Sequence, residues 1–445
     1  MRKKIEKSKP NIILVVCDDL GYGDIGCFGS TRSNTPVLNQ MAKEGIKLTD
    51  FHVVSPVCSP SRAGIMTGCY PQRVGLGRGE SFCVLLPGDS IGINPEEVIL
   101  PKVMKQSGYV TKMIGKWHLG DQPPFLPANN GFDSFFGLPY SNDMCYYHPA
   151  LRVTFPPLPL MRQNEIIQKD PKQGSLNEEY IREATTFINE NHDKPFFLYL
   201  AHMYVHWPFY PPQSFLESAD GDRYRAEVEF IDWGMGEIRY ALKQNNIQDN
   251  TIVIFTSDNG GVLQYGSNGP LRGQKGWIYE GGMRVPCIIN WPGKIKSEEV
   301  IDSLTTTMDL LPTLATIIGV KLPKDKKIDG FDISEQLLAR RRFPEGRVLC
   351  YYHDNVLLAI RKGDWKYIIP TNELFNLETD LGEKNNLVKD NPDKIDELLE
   401  IAEQYRTELG DGQRIGSGVR APGKVEDPRL LFELDPSVDY TAEYE

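Results

Sequence analysis

Long apolar runs are missing from this chain: nowhere does one reach the roughly 20 residues that a helix needs to cross a bilayer. Paired cysteines are missing too. The eight Cys, at 17, 27, 58, 69, 83, 145, 287 and 350, show neither a metal-type pairing nor a dense disulfide framework, so most are expected as reduced core residues. An excess of positive charge is also absent. Lys and Arg number 49 against 60 Asp and Glu, a formal net charge of -11 with a pI near 5.3, which argues against the basic face that general nucleic-acid binding requires. Any anionic substrate must therefore meet locally placed cations. There is no internal repeat. Met1 to Pro10 is basic but carries no apolar leader segment. The expected compartment is cytoplasmic as the sequence stands, and periplasmic or secreted if an export signal has been removed.

What is present is a foldable composition, 40% hydrophobic and 24% charged over 445 residues. That length suits one large domain with a smaller companion. Asn11–Cys17, Tyr109–Ile114, Phe196–Ala201 and Thr251–Thr256 are apolar, largely β-branched runs, the mark of strands buried on both faces of a mostly parallel sheet. Helices are expected between them, at 34–45, 101–107, from Ser175 with capping-box spacing to Glu178, and from Arg223 to Gln244, and Ile46–Val53 reads as a further strand. The fold class is α/β, with a large mixed sheet flanked by helices. From Pro344 short strands, including Trp365–Ile369 and Glu373–Leu377, and a helix from Pro392 to Leu409 indicate a small antiparallel sheet with a helix. The expected organisation is 1–343 as the main α/β domain and 344–445 as an α+β subdomain ending in a wrapping or mobile tail. Residues 121–174, rich in Pro, Gly, Asn and aromatics, are expected as long loops over the scaffold.

Each strand of the first group ends on polar chemistry. The first runs into Asp18 and Asp19, the second into Lys116-Trp117-His118, the third toward His202 and His206, and the fourth into Asp258-Asn259. In open α/β sheets ligands bind at the carboxyl ends of the strands. Asp18, Asp19, Asp258 and Asn259 form an oxygen-donor set suited to a hard cation such as Ca²⁺. Lys116 and His118 alternate about Trp117 and are expected to share one face.

The stretch Ser55-Pro56-Val57-Cys58-Ser59-Pro60-Ser61-Arg62, continuing to Gly68, places a thiol just before a short helix expected to begin near Pro60 or Ser61. Free N–H groups and the positive end of the helix dipole would then face Cys58 and favour anionic chemistry there, with Arg62 adding a fixed charge.

Cys58-Ser59-Pro60-Ser61-Arg62 with Thr67-Gly68 resembles the sulfatase motif. The resemblance extends in order through Gly115–Gly120, Asp18-Asp19, Ser257–Gly260, Leu271–Gly276 and Glu280–Pro286. It implies the alkaline-phosphatase-like fold and conversion of Cys58 to formylglycine by a maturing enzyme, with the aldehyde hydrate as nucleophile. It implies Asp18, Asp19, Asp258, Asn259 and residue 58 as calcium ligands. Arg62 and Lys116 would hold the formylglycine and metal-side oxygens, and Lys275 the sulfate. His118 would take a proton during sulfate release, while His206, favoured over His202, and Lys275 are candidates to protonate the leaving alcohol. Ser141 resembles a pocket serine of the arylsulfatase A-like branch. The implied substrate is a small-molecule or glycan sulfate ester; the alternatives are a phosphomonoester or phosphonate hydrolase on the same scaffold, or a non-catalytic glycan- or anion-binding protein. Cys69, where Arg is expected in relatives, would put a second thiol near the site. His52, His148, His192 and His353 are read as ordinary residues, although His148 could line the pocket. Residues 76–93, 121–174 and 207–218 are expected to set substrate choice, with Tyr146, Tyr147, Trp207 and Tyr210 available for stacking.

Overall fold

The structure, a computed structural model, describes residues 9–434 apart from 149, 150, 152, 340, 342, 344 and 345, together with residue 437. The expected start of the C-terminal region at Pro344 lies outside these residues, as does the side chain of Tyr147.

Ten strands form the main sheet: β1 (Asn11–Cys17), β2 (Ile46–Leu48), β3 (Val110–Lys116), β4 (Ser134–Leu138), β5 (Pro159–Arg162), β6 (Glu165–Lys169), β7 (Phe196–Ala201), β8 (Thr251–Ser257), β9 (Cys287–Asn290) and β10 (Glu299–Ile301). Their order is β6-β5-β4-β3-β7-β1-β8-β9-β2-β10. The central run β4-β3-β7-β1-β8 is parallel, and strands of mixed direction complete both sides. The expected mostly parallel sheet is therefore present, and its central strands run as read.

Every residue of β1 is buried. Because side chains alternate along a strand, Ile12, Leu14 and Val16 serve one face, packing with Ile65, Met66, Val103 and Leu314. Ile13, Val15 and Cys17 serve the other, with Leu38, Ile181, Phe187 and Ile231. The helices supplying those residues are α1 (Pro36–Glu44), α2 (Cys58–Thr67), α3 (Leu100–Gln106), α4 (Gln173–Glu190), α5 (Arg223–Gln244) and α6 (Leu310–Ile318).

Three local expectations need correction. The helix read as starting at Ser175 begins at Gln173, and Ser175 donates its hydroxyl to the Lys172 carbonyl instead of capping. Ile46–Val53 is not one strand but two short ones, Ile46–Leu48 and Phe51–His52. Residues 121–174 are not simply loop: β4, β5 and β6 extend the sheet, and Tyr146–His148 pairs with Val153–Phe155. Most of β6 is exposed, so no buried stripe marked it.

A second, four-stranded antiparallel sheet follows in chain order, β11 (Val348–His353), β12 (Val356–Lys362), β13 (Trp365–Ile368) and β14 (Glu373–Asn376), with α7 (Pro392–Leu409). Leu349, Ile360, Leu374 and Leu398 belong to the same apolar cluster as Ile12 and Leu14. Beyond α7 the chain wraps back, and Gly423–Lys424 pairs with Ile91–Gly92.

A buried ionic node fastens this region to the segments around Glu280 and His52, beside the main sheet. Glu280 Oε1 accepts from Lys366 Nζ at 2.9 Å and from the Tyr351 hydroxyl at 3.0 Å; its Oε2 lies 2.8 Å from His52 Nε2. Glu383 Oε1 lies 2.8 Å from the same Lys366 Nζ, and the Glu280 N–H donates to Glu383 Oε2 at 2.7 Å. Asp50, His52 and Glu280 approach as three possible metal ligands. Arg284, Arg361 and Lys366 already stand against them, so their charge is met from within the protein. His52, read as ordinary from sequence, is thus part of the fastening. Lys366→Met would leave two buried carboxylates facing each other. It is expected to destabilise the fold by about 3–5 kcal/mol in urea unfolding at neutral pH.

Candidate active site

Helix α2 begins at Cys58 itself. Val57 is extended and acts as N-cap, and the first helical hydrogen bond runs from the Ser61 N–H to the Val57 carbonyl at 3.2 Å. Pro60 is tolerated because an N–H in the first turn has no intrahelical acceptor to lose. Gly68 closes the helix with left-handed backbone, φ 64°.

Cys58 is 3% exposed, and its Sγ lies 3.6 Å from Asp18 Oδ1. Burial raises the thiol above its usual range despite Lys116 and Lys275 nearby. Arg62 spends its charge on carboxylates instead: its guanidinium reaches Asp258 Oδ2 at 2.8 and 3.0 Å and Asp18 Oδ2 at 3.6 Å, and donates to the Lys116 carbonyl at 2.9 Å.

The parallel strand order sets the rest. β3, β7, β1 and β8 lie side by side, so their carboxyl ends present Lys116, the segment leading to His206, Asp18-Asp19 and Asp258-Asn259 along one edge. Lys116 Nζ donates to Asp18 Oδ2 at 2.6 Å and to Ser141 Oγ at 3.1 Å. Lys275 Nζ donates to Asp19 Oδ2 at 2.8 Å, and His206 Nε2 stands 3.8 Å from the same oxygen. Burial opposes ionisation of Asp18, but Lys116, His206 and Arg62 outweigh it and hold the carboxyl far below its usual range. Burial likewise works against the Lys275 ammonium, and Asp19 overrides it.

His118 reaches the site by a turn, not by strand alternation with Lys116. β3 ends at Lys116, and His118 has φ 60°. Asp19 has the same left-handed φ of 60°, and strain of this kind concentrates at functional sites. His118 Nε2 lies 2.9 Å from the Leu85 carbonyl, which can only accept, so Nε2 carries the proton. Nδ1 is left as a buried acceptor without a hydrogen-bond partner. Burial and then Lys116 lower the imidazole well below its usual range and keep it neutral.

Asp18, Asp19, Cys58 and His206 each offer a ligand atom, all within 4.8 Å of one another. Asn259 Nδ2 donates to Asp19 Oδ1 at 2.8 Å and to the Gly260 carbonyl, while its Oδ1 is buried with no hydrogen-bond partner. An orphaned carbonyl oxygen among crowded carboxylates fits a hard cation. Asp258 joins the group through its Oδ1, which accepts from the Asp19 N–H at 3.2 Å.

Residues 10–320 match the family described as Sulfatase. The chain belongs to the sulfatase family. Residues 273–410 also match the family described as N-sulphoglucosamine sulphohydrolase, C-terminal. The chain is 38% identical over 376 residues to N-acetylgalactosamine-6-sulfatase of Sus scrofa, covering 80% of this chain and 71% of that protein. It is 38% identical over 384 residues to arylsulfatase A of Homo sapiens, covering 80% and 74%. Among solved structures it is similar to Ps i-CgsB in complex with k-i-k-neocarrahexaose, at 30% identity and a TM-score of 0.81 over 92% of this chain and 95% of that one. This sulfatase is therefore an enzyme that hydrolyses sulfate esters, on the alkaline-phosphatase-like fold.

One expectation about a neighbour fails. Cys69 lies at the far end of α2, about 15 Å of helix from Cys58, where Arg420 from the wrapped chain approaches its sulfur at 3.6 Å. Cys83 is half-buried, and burial raises its thiol above the usual range. Sequence reasoning also passed over Asp143, which lies 3.2 Å from His148 Nε2 and is held well below its usual range; burial opposes this, and His206 and His148 outweigh it.

His202 is not at the site: it is fully buried, with Nδ1 3.1 Å from Asn177 Oδ1. Burial lowers its pKa to about 4. Its neutral form is favoured in the fold, so its contribution is complete above the unfolded value near 6.5 and is lost as pH falls toward 4. Stability is expected to drop by about 3 kcal/mol over that interval from this group, and His202→Gln should flatten the slope, measured by denaturant midpoints at pH 4 to 7.

Proposed function

We propose that this sulfatase cleaves the sulfate ester of a carbohydrate or aryl alcohol using formylglycine made from Cys58 and a bound Ca²⁺. The observation that carries this reading is the convergence on Cys58 of Asp18, Asp19, Lys116 and Lys275 beside the unpartnered Asn259 Oδ1. A thiol kept protonated by burial is a poor nucleophile, which fits a residue that works only after modification. Hydrated formylglycine supplies two hydroxyls on one carbon, one to capture the sulfo group and the other to release sulfate without attack by external water.

Asp18, Asp19, Asp258, Asn259 and residue 58 would hold the calcium, and His206 is close enough to be a further ligand or its neighbour. The metal supplies Lewis-acid polarisation of a sulfate oxygen. Arg62 stands against both Asp258 and Asp18 and offsets part of their buried charge. Lys116 and Ser141 line one side of the sulfate position and Lys275 the other, so that cations face the oxygens on which charge builds during S–O cleavage. His206 and Lys275 are positioned to give a proton to the departing alcohol oxygen. His118, with Nδ1 as its only free acceptor, takes a proton as sulfate leaves. The partners of this reading are the sulfate ester and a maturing enzyme; no helix among the described residues is long and apolar enough to cross a membrane. We read 1–343 as the catalytic unit and 344–445 as its subdomain.

In protein from a host with the maturing enzyme, the peptide containing position 58 is expected about 18 Da lighter than the Cys form. The same preparation should turn over 4-nitrophenyl sulfate in preference to the phosphate, and a large preference for phosphate would overturn the reading. An unmodified peptide from the native host with no turnover would point to binding instead. Lys275→Ala is expected to lower kcat/KM by about 10²–10³. EDTA should reduce activity and added Ca²⁺ restore it.

A further inference from the structure

Lys275 is carried by neither a helix nor a strand. It lies between the end of β8 at Ser257 and the short helical turn Glu280–Met283, in a stretch without regular structure. The aim of a side chain in such a stretch is set by whatever holds the chain on either side of it. Here the stretch is closed into a loop. The Gly281 N–H donates to the Arg272 carbonyl at 2.7 Å, so residues 272 and 281 form its base and Lys275 stands on the arc between them.

Both limbs of the loop are fastened from the small antiparallel sheet. Glu373, the first residue of β14, takes hold of each: its Oε1 accepts from Arg272 Nη1 at 3.2 Å, and its Oε2 accepts from the Tyr279 hydroxyl at 2.6 Å. The Thr371 hydroxyl donates to the same Oε2 at 2.6 Å and fixes how the carboxylate is turned. The Arg272 guanidinium also covers the Tyr279 ring at 3.9 Å and donates to the Glu383 carbonyl at 2.9 Å. One carboxylate thus joins two limbs of the chain, three residues before Lys275 and four after it. Between them the Lys275 ammonium reaches Asp19 Oδ2.

These contacts are poorly placed to stabilise the fold. The Arg272 and Glu373 side chains remain 39% and 19% exposed, and ion pairs in that setting contribute little. What they constrain is position, because a planar guanidinium held at once by a ring face, a carbonyl and a carboxylate has a single orientation. We propose that Glu373 is a positioning residue for Lys275, holding the two limbs of its loop at the separation that sets the ammonium against Asp19 and toward the sulfate. This rests on the reading in which Lys275 acts on a sulfate ester. It gives the small sheet a part in the chemistry through a side chain whose own contacts are Arg272, Tyr279 and Thr371.

The test uses matured enzyme in millimolar Ca²⁺, with 4-nitrophenyl sulfate as substrate. Acetic anhydride probes the Lys275 amine, read by peptide mass against the exposed Lys321. Glu373→Ala should lower kcat by about 10-fold, more than it raises KM, while its urea midpoint stays close to the parent's. Tyr279→Phe, which removes only the hydroxyl contact, should show a smaller loss of the same kind. Added to Lys275→Ala, Glu373→Ala should cost no more than about 2-fold further, since nothing is then left to position. Acetylation of Lys275 should be several-fold faster in Glu373→Ala than in the parent. An unchanged kcat, losses that multiply in the double variant, unchanged labelling of Lys275, or a loss of activity matched by a fall in the urea midpoint would overturn the inference. Faster labelling in Glu373→Ala, with no hydrolysis of any sulfate ester by the matured parent, would support the positioning and count against the catalytic reading.

Discussion

The contact between Lys116 and Asp18, 2.6 Å long and wholly buried at both ends, is the constraint on which the site depends. An ionised carboxylate in such a place is costly unless cations and hydrogen bonds compensate it. Lys116 compensates from β3 and Arg62 from α2, while β1 supplies the acid, so three elements must be in register before the charge is tolerable. Lys275 and Asp19 repeat the arrangement from a fourth element. In the function proposed above, the same cations that make the carboxylates stable would face the tetrahedral anion, so stability and chemistry would draw on one set of charges.

The segment bearing Lys275 is held in turn by groups outside the parallel sheet. Its N–H donates to the Gly261 carbonyl at 3.2 Å, and the Gly276 N–H donates to Pro56 at 3.0 Å, which ties it to the chain just before Cys58. At its other end Glu280 is gripped by Lys366 and Glu383. Between these points backbones touch: a Cβ on Gly260 would fall 1.9 Å from the Gly281 carbonyl oxygen. With no side chain to yield, displacement at Glu280 is carried to Gly260 and to Asn259 beside it. The small antiparallel sheet therefore bears on the geometry of the oxygens proposed as metal ligands although it contributes none of them.

Much of this was legible because strands buried on both faces leave unbroken apolar runs, and the polar residues ending them stand out. Asp18, Lys116, His206 and Asp258 declared themselves in that way, and the ordered motifs around Cys58 and Lys275 supplied the family. Features that depend on the path of the chain between elements were not legible. His118 comes to the site through a left-handed turn, which alternation cannot show. Cys69 is close to Cys58 in sequence, yet the length of α2 carries it away from the site. The Glu280 node joins residues up to 331 positions apart, His52 to Glu383, and no local pattern encodes such pairing.

The burial of Cys58 has a consequence in time. The side chain that the proposed modification would have to reach is 3% exposed, at the start of a helix whose Ser59 Oγ accepts from the Leu85 N–H at 2.8 Å, and the 76–93 segment that carries Leu85 is itself paired with Gly423–Lys424. At about 5–20 residues per second, the ribosome needs roughly 20–70 s to travel from Cys58 to Lys424. Until Lys424 is made, the 76–93 segment lacks that tether. A maturing enzyme acting on Cys58 would meet the least finished cover in that interval.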